Sequence, residues 1–313
     1  MGDKLRLMKK IEKIYPGLIL VLFILLVTAL GFSYDQYFKS SDLKNVDHSS
    51  MSSMDKMPDY MMNMPGMMGD KTRRYTVDWE YPDQIIPGQV ANMKFRVFNA
   101  ASGEPVDVFT KNYTKLMHLI ITDSSLTSYQ HLHPEYRDGW FEIPVTFPQD
   151  GRYNLYLDFV PLGAVEQQIG VSLTTSGYTE AEEAIKTLDL TAKDDNGYTV
   201  NIDYAEPLEA SELSVGEKKL VFEISRNGEL VNTLKPYLGA FGHMVMINAD
   251  TYEYYHVHPV QSGELADDAN GGPKIEFAPM AMFQAIKPGT YRLFAQFNPD
   301  GNLIMVPFTI KVE

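Results

Sequence analysis

The sequence predicts an all-β protein built as two tandem β-sandwiches, and three observations carry that reading. Short apolar and β-branched runs recur at close spacing, with Gly, Asn, Asp and Pro between them. A histidine motif occurs twice: His118 is followed thirteen residues later by His131-Leu132-His133-Pro134, and His243 thirteen residues later by His256-Val257-His258-Pro259. Each copy then supplies Gly-x-Tyr at the head of a further run, at Gly151-Arg152-Tyr153 and Gly289-Thr290-Tyr291. A chain of 313 residues has room for two modest cores of this kind.

Residues 1–35 come first. Lys4, Arg6, Lys9, Lys10 and Lys13 precede an almost unbroken apolar run from Leu18 to Phe32. A basic flank before such a run is the pattern of a membrane-inserted segment with its N-terminus inside. The run, extended by Ile14, Tyr15 and Tyr34, reads as an uncleaved transmembrane anchor; the small-x-small tripeptide Ala29-Leu30-Gly31 keeps a cleaved signal peptide as the alternative. On either reading the rest of the chain lies outside the cytoplasm, at the cell membrane or secreted.

Residues 36–71 change to Ser, Asp, Lys, Pro, Gly and Met, with no period that would bury a face, and read as a flexible tether. His48 heads a segment holding Met51, Met54, Met57, Met61, Met62, Met64, Met67 and Met68, eight of the 17 Met of the chain. Thioethers are soft donors suited to Cu(I) and Ag(I), and a mobile chain can wrap several around one ion. Loose packing of adaptable Met side chains on a partner is the alternative.

The first sandwich, residues 72–176, is expected to use runs at Tyr75–Trp79, Ala91–Phe98, Val106–Phe109, Leu116–Thr122, Tyr129–Leu132, Trp140–Phe147, Arg152–Phe159 and Val165–Leu173. A short acidic linker at 177–187 leads to the second, residues 188–313. Its runs fall at Leu188–Ala192, Tyr198–Tyr204, Lys219–Ser225, Met244–Asn248, Tyr254–Val257, Ile275–Phe277, Tyr291–Phe297 and Ile304–Val312, with a hairpin signal at Asp194-Asp195-Asn196-Gly197.

Composition narrows the function. Lys plus Arg at 27 against Asp plus Glu at 41 gives a net charge of -14, which repels phosphate backbones, so no nucleic acid is expected as partner. The absence of Cys removes disulfides, thiolate metal sites and iron–sulfur clusters. No phosphate loop, His-Glu-x-x-His or Gly-x-Ser-x-Gly is present, and no enzymatic activity is expected.

The histidines point to metal. Turns at Asp123–Leu126 and Asn248–Thr251 would fold each copy into a hairpin with His118 opposite His131 and His243 opposite His256. Opposed residues share a face, and His133 and His258 join it because side chains alternate with period two. Each repeat is thereby expected to hold one ion on its own triplet, His118, His131 and His133 or His243, His256 and His258. The Pro after each pair suits a strand end at an open edge, reachable from solvent. Asp158, and less so Gln296 at the same offset in the second copy, are the candidate fourth ligands.

Pro87-Gly88-Gln89 before Met93–Phe98, then Gly103-Glu104-Pro105-Val106, resembles the opening of the extracytoplasmic FixH and YtkA-like Ig/cupredoxin-like modules. The second copy, Tyr237 to His243 and His256 to Pro259, is similar to a pattern of bacterial secreted proteins associated with copper handling, and the Met-rich segment resembles those of copper-resistance proteins. The resemblance implies copper binding in the cell envelope for resistance, storage or delivery. Soft thioethers are expected to take Cu(I) and the imidazole triplets Cu(II), with zinc as the alternative metal and a copper transporter or cuproenzyme as the expected partner. The missing Cys of true cupredoxins stands against electron transfer. A zinc-stabilised scaffold module and a copper oxidoreductase are the competing functions.

Overall fold

The computed structural model describes residues 74–178, 184, 186–194, 196–257, 259–260, 265, 269–279 and 285–313. The expected anchor and tether, His48, the eight Met from Met51 to Met68, and His258 lie outside them. Among the described residues no helix is long and apolar enough to cross a membrane.

The first repeat runs β1 (Tyr75–Glu80), β2 (Val90–Asn99), β3 (Phe109–Thr110), β4 (Met117–Asp123), β5 (Tyr129–Leu132), β6 (Glu135–Arg137), β7 (Trp140–Thr146), β8 (Arg152–Pro161) and β9 (Gln167–Thr174). The second runs β10 (Thr191–Lys193), β11 (Tyr198–Asp203), α1 (Ala210–Ser214), β12 (Leu220–Arg226), β13 (Glu229–Leu230), β14 (His243–Asn248), β15 (Tyr254–Val257), β16 (Lys274–Phe277), β17 (Gly289–Phe297) and β18 (Ile304–Val312). The ladders joining these strands are all antiparallel. The expected run Val106–Phe109 shrinks to β3, and Leu188–Ala192 shifts to β10, because Leu188 and Leu190 point into solvent. Neither β6, β13 nor α1 was expected, each being too short to show a period.

In the first repeat the sheet β1-β2-β7-β6 closes over the sheet containing β5-β4-β8-β9. Phe95, Phe141, Phe147 and Phe159 fill the space between them, all fully buried. In the second, β10-β11-β12-β13 with β16 on β12 closes over β15-β14-β17-β18, around Tyr198, Phe222, Phe277, Phe297 and Phe308. The paired motif Gly-x-Tyr has a structural role. Tyr153 Oη donates to the carbonyl of Gln149 at 3.0 Å, and Tyr291 Oη to that of Lys287 at 2.8 Å, each four residues upstream. Both rings thereby pin the chain where it enters β8 or β17, as a tyrosine corner does in other sandwiches.

The sheets β5-β4-β8-β9 and β15-β14-β17-β18 also pack on each other through their outer faces. Ile120, Leu126 and Tyr156 of the first repeat meet Val245, Ile247, Ala249, Tyr254 and Phe294 of the second in a third apolar cluster. This accounts for β4 and β14, which are buried at nearly every position and read as unbroken apolar runs rather than alternating ones. Tyr129 stacks on Phe294 at 4.6 Å and 14°, and Tyr254 on Tyr156 at 4.5 Å and 12°. Tyr129 corresponds to Tyr254 and Phe294 to Tyr156 in the two repeats, so the contacts are reciprocal, as a pseudo-two-fold requires.

Candidate metal centre

Each hairpin opens on a capped turn. Asp123 Oδ1 accepts from the backbone N–H of Thr127 at 2.8 Å and of Ser128 at 2.9 Å, and Asn248 Oδ1 accepts from those of Asp250 and Thr251, both at 2.9 Å. These caps extend the loops past the expected turns, so the register shifts by two: Ile120 pairs with His131, and Val245 with His256. His118 therefore faces the strand position of His133, not His131. An even shift leaves every side chain on its face. His118, His131 and His133 stay together on the outer face of their sheet, and His243 and His256 on the outer face of theirs.

Those two faces are the ones that meet. The histidines of the two repeats thereby come together, with the ring centroids of His118 and His256 5.5 Å apart and those of His131 and His243 6.1 Å apart; the first expected triplet stays within reach of one ion, and the second extends to His258, outside the described residues. His118 and His243 are buried, as are Pro134 and Pro259, so the open edge expected at the prolines is covered. His133 alone among the described rings of the cluster also borders a surface cleft of about 620 Å³, which it shares with Lys94, Glu135, Arg137 and Glu142.

The outer nitrogens of the rings are held by acceptors. A two-residue turn precedes each strand, with Tyr113 and Thr114 at φ 47° and 77°, and Leu238 and Gly239 at 52° and 79°. It is closed by N–H of Asn112 to the carbonyl of Lys115 and of Tyr237 to that of Ala240, both at 2.7 Å. The first residue of the turn turns its carbonyl to the histidine six residues on: His118 Nε2–H donates to Asn112 O and His243 Nε2–H to Tyr237 O, each at 2.9 Å. Cross-repeat partners hold the middle histidines. His131 Nδ1 lies 2.6 Å from Gln296 Oε1, and His256 Nδ1 lies 3.0 Å from Asp158 Oδ2. Asp158 pairs with His118 across β8 and Gln296 with His243 across β17, so these two are equivalent positions. Each repeat thus orients the central histidine of the other.

This arrangement fixes the protons. With His118 Nε2–H given to a carbonyl and His131 Nδ1–H given to an amide oxygen, a neutral ring has no second proton to offer. His118 Nδ1 and His131 Nε2 nevertheless face each other at 2.9 Å. Two lone pairs converge there, with the three histidines of the first repeat close enough for one nitrogen from each to lie within 4.8 Å of the others. His133 Nε2 is buried without a hydrogen-bond partner among the described residues. Protonation is resisted: burial pushes His118 and His243 well below the usual imidazole range, His131 down to about 3 and His133 to about 4. With the tautomers so assigned the gap suits a Lewis acid, and rings whose far N–H is tied to a carbonyl or amide are a usual form of imidazole metal ligands.

His256 differs. Burial pushes its imidazolium down, but contact with the Asp158 and Glu166 carboxylates outweighs burial and lifts it to about 10. Burial pushes Asp158 up while His256 pulls it down, and the pair holds a proton at neutral pH. Glu166 lies 3.7 Å from His256 Nδ1 and accepts from Asn112 Nδ2 at 3.0 Å.

Sequence reasoning missed Asn112, Tyr237 and Glu166. The first two act through backbone carbonyls and share no side-chain type, and Glu166 has no counterpart in the repeat, so none of the three had a local signal. Asp158 is in the centre, in contact with a histidine of the opposite repeat rather than completing the triplet of its own. Gln296 does the same for His131.

The family model described as Domain of unknown function (DUF8832) matches residues 70–175 and again residues 192–313. The chain belongs to this family. The two DUF8832 matches coincide with the two sandwiches, and each carries one histidine triplet. Comparison with curated proteins gives no match. Among solved structures, similar chains include the tetra-tandem repeat in the extending region of a large adhesion protein, at 11% identity and a TM-score of 0.24, covering 76% of this chain and 50% of that one. Red sea bream transglutaminase is 11% identical with a TM-score of 0.20, over 78% of this chain and 32% of that one. A structure of promiscuous carbohydrate-binding modules from the β-sandwich superfamily is 10% identical with a TM-score of 0.21, over 77% and 99%. This chain therefore spans half the length of the first and about a third of the second, and at these TM-scores none of the three bears on function.

Proposed function

We propose that the protein is a membrane-tethered extracytoplasmic metal-binding protein, with copper as the metal it handles for resistance, storage or delivery. The observation that carries this is the 2.9 Å approach of His118 Nδ1 and His131 Nε2, whose far nitrogens lie against Asn112 O and Gln296 Oε1. The tandem sandwiches would act as Ig-like or cupredoxin-like modules, held at the membrane by the segment within 1–35. The Met-rich segment would supply thioethers for Cu(I) on its way to or from a transporter or cuproenzyme, while the imidazole centre suits Cu(II), or Zn(II) as the alternative metal. Because the described histidines of the two repeats lie together, delivery becomes an exchange between the soft arm and one buried cluster.

A reversed Gln296 amide would close the ring chain with protons alone, by donating to His131 and letting His131 donate to His118. The test is metal content and Cu(II) titration of the full chain, purified in detergent without a histidine tag. Copper or zinc should bind, the double variant His118→Gln/His131→Gln should lose the ion held by the imidazoles of the first repeat, and Gln296→Glu, which can only accept, should keep it. No bound metal in the parent, or loss of it in Gln296→Glu, defeats the reading. Changing the eight Met from Met51 to Met68 to Leu should abolish Cu(I) uptake by the arm, measured against a Cu(I) chelator, and leave Cu(II) binding intact.

A further inference from the structure

The two halves of the centre are related by the pseudo-two-fold but do not carry the same charge. His118, His131 and His133 offer three neutral nitrogens, with the amide of Gln296 behind them. Around His256 the corresponding neighbours are carboxylates of the opposite repeat. One ligand atom each from Asp158, Glu166 and His256 lies within 4.8 Å of the others, and the Asp158 and His256 side chains are fully buried while that of Glu166 is 12% exposed. The break in symmetry is twofold. Asp158 stands where the second repeat has Gln296. Glu166 precedes the residue paired with Phe159, a position taken by Leu303 ahead of the partner of Phe297.

These carboxylates are built into the fold. Asp158 Oδ2 accepts from Tyr254 Oη at 2.6 Å, and its Oδ1 is buried without a hydrogen-bond partner among the described residues. Glu166 is anchored by Asn112 Nδ2, the residue whose backbone carbonyl holds His118, so one residue braces both halves. Carboxylates so placed give up hydration that hydrogen bonds and positive charge must replace.

We infer that Asp158, Glu166 and His256 form a second metal position beside the three-imidazole one, taking a divalent cation of nitrogen and oxygen preference such as Zn(II) or Cu(II), and excluding Cu(I). The inference rests on the metal-binding reading above. An anionic set of one nitrogen and two oxygen donors favours a divalent borderline ion, whereas thioether and imidazole sets accept the monovalent soft one. The centre is then a two-ion centre with unlike positions, each assembled from both repeats: Gln296 positions a ligand of the first, and Asp158 and Glu166 ligate in the second.

Zn(II), for which thioethers compete poorly, is the probe, titrated calorimetrically into the full chain in detergent at neutral pH. The parent should take two equivalents. Glu166→Gln and the near-isosteric Asp158→Asn should each keep one equivalent and weaken the other by at least tenfold, a loss of the size seen when ligand-shell partners are removed. His131→Gln/His133→Gln should lose the complementary equivalent. Because a variant may fail by unfolding, the parent is also loaded with Cd(II): cadmium NMR should give two signals, the nitrogen-rich one downfield. No Zn(II) bound at all would defeat the metal-binding reading itself. A single equivalent, lost in His131→Gln/His133→Gln and untouched by Glu166→Gln, or a single cadmium signal, overturns the second position and leaves that reading standing.

Discussion

Acidifying the metal-free protein should open it, by an amount that the buried rings set. His131 sits at about 3 in the folded chain against an ordinary 6.5 when unfolded. A depressed histidine takes its proton more readily unfolded, so its contribution is fully present above pH 6.5 and is lost as pH falls towards 3. The loss runs at about 1.4 kcal/mol per pH unit, or roughly 3 kcal/mol between pH 6.5 and 4, from this ring alone. His133, at about 4 and partly in contact with solvent, adds roughly half as much after screening. His118 and His243 shift in the same direction through burial. His256 is opposite in sign: raised to about 10, its contribution is complete below pH 6.5 and is lost only as pH rises through 10, so it does not offset the acid loss. The assay is denaturant unfolding of the full chain with chelator at pH 7, 5.5 and 4, compared with His131→Gln, which has no proton to gain. Carboxylates contribute equally to both proteins and cancel in the difference. Parent stability should fall more steeply than the variant's by about 1 kcal/mol per pH unit, and equal slopes would refute the burial of a neutral His131.

Thr114 holds φ 77° with a β-branched side chain, where the second repeat has Gly239 at 79°; Thr114→Gly should therefore raise stability by about 1 kcal/mol in denaturant melts without altering metal uptake. Phe294 is fully buried and stacked on Tyr129 across the meeting of the two sheets; Phe294→Ala should cost about 3–5 kcal/mol and speed hydrogen exchange in β4, β5 and β14, whereas a loss under about 1 kcal/mol would show that the faces part in solution.

Period-two alternation made the histidine faces legible in the sequence: the true register differs from the expected one by two residues, and a shift by two returns each side chain to the same side. Strand runs such as Tyr129–Leu132 and Ile304–Val312 were equally legible, since turn residues and apolar runs are local properties. The two-residue turn at Tyr113-Thr114 left no trace, because neither residue prefers positive φ, and only Gly239 in the other copy hints at it. The strands holding Leu119-Ile120-Ile121 and Met244–Ile247 were expected to present their histidine face at a solvent-reachable edge, and the structure buries both of their faces. That was decided by tertiary packing. Residues 131 and 296, or 158 and 256, come together because two sheets from different repeats share an apolar face, a contact set by shape and total burial that no spacing along the chain encodes. Local pattern was enough for two sandwiches and for the common side of His118, His131 and His133 and of His243 and His256; the packing of those sides brought the described histidines together and set Asp158 and Glu166 on one half against Gln296 on the other.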